Sequence, residues 1–115
     1  MTRGELWWAD FGVPFGSEPG YKRPVLIMQN DYFNNSRINT TIVIPLTTNM
    51  VLADAPGNIV LTPNDSKLKK ESVVVVSQIE VIDRQRLIEK ITKVDRLIIK
   101  QIEEQILFVL GIHNI

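Results

Sequence analysis

Only one stretch of this chain carries a long helical pattern, and it lies at the end. Residues 92–110 place Val94, Ile98, Ile102, Ile106 and Val109 at helical spacing, with Arg96, Lys100, Glu103 and Glu104 on the wet side. Thr92 and Asp95 match a Thr-x-x-Asp start signal, and Gly111 suits a helix stop. Everything before it breaks into short apolar runs bounded by turn residues. Many short strands followed by one helix predict a mainly β fold, a small barrel-like sheet with the helix packed on it. At 115 residues the chain is expected to form a single domain, 1–115. A core of that size leaves apolar surface uncovered, so a dimer is expected. The last helical turn, Ile106, Leu107, Phe108, Val109 and Leu110, is apolar on every side. That predicts burial against both the sheet and a second subunit.

The strands are expected at residues 5–11, 24–30, 40–47, 58–61, 72–77 and 87–91, with 78–83 extending the 72–77 strand or starting another, and a turn at Arg84, Gln85 and Arg86. Trp7 and Trp8 are adjacent, so in a strand they face opposite sides, one toward the core and one toward an interface or groove. The run Val25, Leu26, Ile27 and Met28 does not alternate, which predicts a strand covered on both faces. Val73, Val74, Val75 and Val76 read as core in the same way. Pro45 has no N–H for a ladder, so its end of the third strand is an edge, a bulge or a strand exit. Residues 31–39 and 48–57 are expected as loops, and 62–71 as a polar turn whose Lys67, Lys69 and Lys70 can help attract a polyanion, with a plain solvated loop as the favoured reading.

Residues 12–22 form a loop punctuated by Gly12, Pro14, Gly16, Pro19 and Gly20, with Ser17 and Glu18 as its notable polar side chains. Arg23 stands where this loop meets the second strand, and Pro24 holds its backbone extended. A cation held there beside a glycine-rich loop suits a phosphate or another oxyanion. If strands two and three form a hairpin with Asn30 opposite Thr40, paired residue numbers sum to 70, and Arg23 lies opposite Thr47. A guanidinium and a hydroxyl then meet at one end of a sheet, next to Ser17 and Glu18.

The totals exclude several classes. Formal net charge is zero, which argues against sequence-blind binding of duplex DNA. The chain has no cysteine, so disulfides and thiolate metal sites are impossible, and its one histidine, His113, rules out a two-histidine ribonuclease site within one chain. The start has no apolar signal segment and no run approaches membrane-spanning length, so a cytoplasmic protein is expected. No metal or other cofactor is expected.

The residues in order resemble the MazF/PemK (Kid) family of toxin–antitoxin ribonucleases. The landmarks are Arg3, Gly4 and Glu5 with Trp7 and Trp8; Gly16, Ser17 and Glu18; and Arg23 with Pro24. Gln29, Asn30 and Asp31 follow, then Pro45, Leu46 and Thr47, Ser72 and Val73, Gln78 and Ile79, Asp83, Arg84, Arg86 and Leu87, and finally Leu110 with Gly111. The resemblance implies the SH3-like barrel of the MazF/Kid/CcdB plasmid-maintenance toxins, and a homodimer. It implies a metal-independent, sequence-specific endoribonuclease that cuts single-stranded RNA, leaving a 2′,3′-cyclic phosphate and a 5′-hydroxyl. A cognate antitoxin with an acidic, flexible tail would neutralise it, and operator DNA would be met only through that complex. Arg23 and Thr47 stand where the family's catalytic arginine and threonine stand. Glu18 is the nearest carboxylate for proton transfer, with loop structure or base recognition as its other reading. Ser17 can bind phosphate or cap the loop, Asn30, Asn34 and Gln78 can read base edges, and Phe33 can stack. Asp83, Arg84 and Arg86 read as a structural turn and salt-bridge cluster. Two other classes stay open, a CcdB-like gyrase inhibitor and a non-catalytic RNA-binding module. The tail Ile112, His113, Asn114 and Ile115 lacks the tryptophan-containing ending expected of the first, and intact Arg23 and Thr47 weigh against the second.

Overall fold

Apolar residues two apart along each central strand point to the same side, and two separate apolar clusters result. In the computed structural model, which describes residues 1–13, 16 and 21–112, the seven strands are β1 (Glu5–Asp10), β2 (Lys22–Ile27), β3 (Thr40–Thr47), β4 (Ile59–Leu61), β5 (Ser72–Val74), β6 (Glu80–Asp83) and β7 (Leu87–Lys93). Leu6, Leu26, Ile44 and Leu46 enter one cluster, with Leu61, Val74, Val76, Val94, Ile99 and Ile102. Ala9, Val25, Ile27 and Val43 enter the other, with Ile82. Trp7, Phe11 and Leu87 pack against that second cluster. Both faces of β2 and β3 are thus covered, as the unbroken apolar run of β2 predicts for that strand. The larger cluster is closed by the terminal helix α3 (Arg96–Leu110), and Ile98, Ile106 and Val109 complete its seal.

The sheet runs β4-β5-β3-β2-β1-β7, with β6 also on β3. Pairs Val25↔Pro45, Leu26↔Ile44 and Ile27↔Val43 each sum to 70, the expected hairpin register. The ladder stops sooner than expected, however. Met28 N–H and Gln29 N–H both donate to the Ile42 carbonyl, at 2.9 and 3.2 Å, so two residues oppose one. Asn30 is then free to cap the short helix α1 (Asp31–Asn34), its side chain accepting from Tyr32 N–H at 2.9 Å. The segment 31–39 is therefore partly helical.

β3 changes partners along its other edge, pairing β6 from Thr40 to Val43 and β5 at Leu46 and Thr47. Pro45 falls in the changeover. Its carbonyl accepts from Val75 N–H at 3.1 Å, but it has no N–H to return the bond, and the β5 pairing goes no further along β3. The valine run is buried throughout, but β5 ends at Val74 rather than Ser77. Asn58 Oδ1 takes the Val76 N–H at 3.2 Å, and a 3-10 turn, Val76–Gln78, follows. A second helical turn, α2 (Pro63–Ser66), lies in the segment expected as a polar turn, closed by a capping box between Thr62 and Asp65.

The terminal helix starts later than its sequence pattern suggests. Thr92 and Lys93 pair with Leu6 and Glu5 in the ladder, and Val94 N–H donates to the Gly4 carbonyl at 2.9 Å. Pairing to β1 outcompetes the local capping motif at Thr92. Asp95 is the cap instead, accepting from Leu97 N–H at 2.8 Å. Val94 is buried before the helix, and Ile99 takes its place on the apolar stripe. Gly111, in the left-handed conformation with φ 74°, ends the helix as expected.

Polar pins hold the first strand in place. Arg3 Nη2 pairs with Glu103 Oε2 at 2.7 Å, and Arg3 Nε donates to the Met28 carbonyl at 2.9 Å, tying the start of the chain to α3 and to the end of β2. The turn 84–86 holds no ion pair among the described residues, unlike the expected salt-bridge cluster. Its side chains bind backbone. Arg84 Nη2 donates to the carbonyls of Phe33 and Asn34, and Arg86 Nη1 donates to the Asp10 carbonyl at 3.0 Å. Asp83 accepts from Gln85 N–H at 2.8 Å.

Glu5 is buried on β1, and burial pushes its carboxyl pKa up. Trp7 indole N–H, Thr2 backbone N–H and Lys90 ammonium, at 3.0, 2.9 and 3.1 Å, together outweigh that and hold it down, from 4.5 to about 2. A carboxyl whose folded pKa lies below its unfolded value adds stability above the unfolded value and loses it as pH falls toward the folded one. Glu5→Gln is expected to lower stability at neutral pH by about 2 kcal/mol. Urea titrations of variant and parent should converge as pH falls from 4.5 to about 2. A gap independent of pH would show that the Glu5 charge contributes nothing.

Candidate functional site

The last β2–β3 pair is Val25↔Pro45, and Arg23 and Thr47 each lie two residues beyond it, at the same end of the hairpin. Pro24 holds Arg23 extended in β2, and Trp8 faces Pro24 across the ladder from β1. Arg23 and Thr47 line one open concavity of about 760 Å³. Its apolar floor includes Trp8, Pro24, Leu46, Leu68 and Ile91. Trp8 is thus the tryptophan that meets a groove, while Trp7 packs on the smaller cluster.

Thr47 is half-buried at the end of β3, and Asn49 backbone N–H donates to its Oγ1 at 3.2 Å. That bond fixes one lone pair of the hydroxyl and leaves its proton to donate into the concavity. Arg23 is also half-buried, at the mouth of β2. A planar guanidinium and a fixed hydroxyl on neighbouring strands can donate together to the oxygens of one tetrahedral anion.

The lining beside this pair includes three lysines of the segment expected as a polar turn. Lys67, Lys69 and Lys70 line the same concavity, with Lys22 beside Arg23. No carboxylate is among the described residues lining it. These lysines are exposed, but the backbone that carries them is fixed. Ser66 is fully buried and its Oγ accepts from Leu68 N–H at 3.0 Å, while Leu68 packs against the main core. The signal was present as three lysines in four residues. Their placement is set by β5 pairing with Leu46 and Thr47, which no local pattern announces.

The other expected site residues lie elsewhere. Ser17 and Glu18 fall outside the described residues, as does His113. Asn30, Phe33, Asn34 and Gln78 are not among the residues lining the concavity. Asn30 caps α1. Asn34 is buried, and its whole amide is engaged inside the fold. Nδ2 donates to the Gln29 carbonyl at 2.9 Å and to Asp31 Oδ1 at 3.0 Å, and Oδ1 accepts from Gln29 Nε2 and Thr41 Oγ1, each at 3.0 Å. It serves the hairpin end and has no donor left for a base edge. The Asn34 bond, with Arg3 N–H at 2.8 Å, also holds the Asp31 carboxyl below its usual range. Phe33 is exposed and meets Tyr32 edge-on, ring centres 5.2 Å apart. Gln78 closes the 3-10 turn after β5.

Comparison with known proteins agrees with this architecture. Residues 2–110 match the model of the PemK-like, MazF-like toxins of type II toxin–antitoxin systems. Endoribonuclease MazF2 of Mycobacterium bovis is 36% identical over 103 residues, 90% of each chain. Endoribonuclease MazF of Staphylococcus saprophyticus is 36% identical over 115 residues, covering 100% of this chain and 95% of that one. A solved mycobacterial endoribonuclease in complex with its cognate antitoxin superposes with a TM-score of 0.80 at 20% identity, over 100% of this chain and 99% of that one. Its fold is therefore shared. A family match over nearly the whole sequence, together with relatives of such identity and coverage, shows that this chain belongs to the PemK-like, MazF-like toxin family.

Proposed function

We propose that this protein is a toxin of a type II toxin–antitoxin system that cuts single-stranded RNA at short sequences without a metal. The observation that carries the reading is Arg23 and Thr47 sharing one cation-lined concavity at the rim of the β2–β3 hairpin. Phosphodiester cleavage by the neighbouring 2′-hydroxyl needs no bound water. The 2′-oxygen forms a bond to phosphorus, the bond from phosphorus to the 5′-oxygen breaks, and a 2′,3′-cyclic phosphate and a 5′-hydroxyl remain. One proton leaves the 2′-oxygen and one reaches the 5′-oxygen. As the attack proceeds, charge grows on the non-bridging oxygens. Arg23 supplies two parallel donors to them and Thr47 a third. Arginine keeps its proton, so Arg23 acts through charge and hydrogen bonds. Glu18, five positions before Arg23 in sequence, is the carboxylate proposed for proton transfer, with base recognition as its other role, and Ser17 is proposed as a phosphate contact.

The partners follow from the same surface. A concavity with Lys22, Arg23, Lys67, Lys69 and Lys70 on its walls suits a polyanion. The acidic, flexible tail of a cognate antitoxin would occupy it in competition with RNA, and operator DNA would be reached only through that complex. Exposed Leu107, Phe108 and Leu110 at the end of α3 support a homodimer. Among the described residues no helix is long and apolar enough to cross a membrane. The cytoplasm, where mRNA is found, is the proposed compartment.

The test is incubation of the purified protein with a long RNA in the presence of a chelator. Discrete cuts with cyclic-phosphate ends are expected, and intact RNA would overturn the reading. Arg23→Ala should remain folded by circular dichroism yet leave RNA uncut; full activity would remove Arg23 from the mechanism. Thr47→Ala, which loses one transition-state donor, should slow single-turnover cleavage by about tenfold to a thousandfold. Glu18→Gln should lower the cleavage rate at saturating RNA, whereas a change confined to binding affinity would assign Glu18 to recognition.

A further inference from the structure

Among the described residues only Tyr21 and Lys67 are non-glycine residues in the left-handed backbone region, with φ of 57° and 61°. They lie 46 positions apart in sequence, and both line the concavity of Arg23 and Thr47. Glycine enters this region without penalty, while larger residues are strained there. Such strain persists where the surrounding structure over-determines it, and it gathers at functional sites.

In both cases the backbone explains the conformation but not the side chain. Lys67 ends α2, where its N–H donates to the Pro63 carbonyl at 2.8 Å and glycine is the usual occupant. Tyr21 exchanges two backbone bonds with the opposite side of its loop, donating to Gly12 and accepting from Phe11 at 2.7 Å. Neither side chain holds the fold together. Lys67 is exposed and makes no ion pair among the described residues, and Tyr21 is 66% exposed. A chain that needed only these turns would do better with glycine at both places. What the two residues add is an aromatic face and an ammonium, the pair of groups that holds a single-stranded nucleotide.

We propose that Tyr21 and Lys67 form a nucleotide-holding subsite beside Arg23 and Thr47, Tyr21 stacking on a base and Lys67 binding a phosphate next to the cleaved one. The proposal rests on the ribonuclease reading. It adds a contact outside the reacting phosphate, and the two residues are positioning residues. Their strain is relieved by glycine, so function and stability should move in opposite directions.

The experiment measures binding of a mixed-sequence 2′-O-methyl oligoribonucleotide, about ten nucleotides long, across a range of salt. The 2′-O-methyl groups remove the attacking hydroxyl, so binding is read apart from cleavage. Thermal melting is recorded for each variant. Lys67→Gly is expected to bind more weakly, with the slope of log affinity against log salt reduced by about 0.7, one phosphate contact, and to melt no lower than the parent. Lys67→Arg should restore the slope. Tyr21→Gly should lose about tenfold in affinity at unchanged slope. Unchanged affinity and slope in Lys67→Gly, no binding by the parent, or a loss of melting temperature accompanying the loss of affinity would each overturn the subsite. RNA cutting by the parent, assayed in parallel, separates the two ideas. Cutting without dependence on Lys67 sinks the subsite alone. A Lys67-dependent slope without cutting sinks the ribonuclease reading and leaves the subsite standing.

Discussion

Strand β3 is hydrogen-bonded along both edges, but its second edge is divided between β6 and β5. That division lets one strand serve two patches of sheet, and it needs a point where one ladder gives way to the other. Pro45 occupies the point, because its carbonyl takes the Val75 N–H and it has no N–H to carry the β5 ladder further. Thr47 lies just beyond it, on the β5 side, while β2 brings Arg23 from the other edge. The segment leading into β5 carries Lys67, Lys69 and Lys70 to the same rim. Three stretches far apart in sequence therefore converge because one strand changes partner halfway along.

The charge of the chain is zero in total but not in distribution. Five cations line the concavity, and no carboxylate does so among the described residues. Carboxylates such as Glu5, Asp31 and Glu103 are engaged elsewhere, with Lys90, Asn34 and Arg3. Balanced composition disfavours strong binding of every polyanion, while the clustered cations give the rim a local positive field. At that rim Thr47 Oγ1 is held by the Asn49 backbone N–H, at 3.2 Å.

Much of this was legible in the sequence, and the exceptions share a cause. The unbroken apolar runs, the hairpin register and the glycine stop of α3 are local signals, and each is found where its pattern placed it. The misplaced boundaries arose where a distant partner outbid a local motif. Thr92 had a capping motif, but β1 was there to pair with it. Ser77 stood at the end of a valine run, but Asn58 captured the Val76 N–H first. Within the candidate site, Arg23 and Thr47 were readable because one hairpin connects them. The lysine wall was not, since only the β3–β5 pairing brings it near. Asn34 was misread as a base reader for the opposite reason. An amide in a polar loop gives no sign in sequence that Gln29, Asp31 and Thr41 will consume it.

The amide knot at Gln29, Asn34 and Thr41 also bears on how the molecule assembles. Its members span thirteen residues, so closing it confines only a short length of chain, and the entropy lost is small. Once tied, it leaves β2 and β3 a single way to zip, since a slip by one position would turn Leu26 and Ile44 away from the helix and strand the buried amides. The geometry at the far end is set by the knot at the near end, six residues away along each strand. The alignment of Arg23 with Thr47 is thus inherited from a chain reversal at the opposite end of the hairpin.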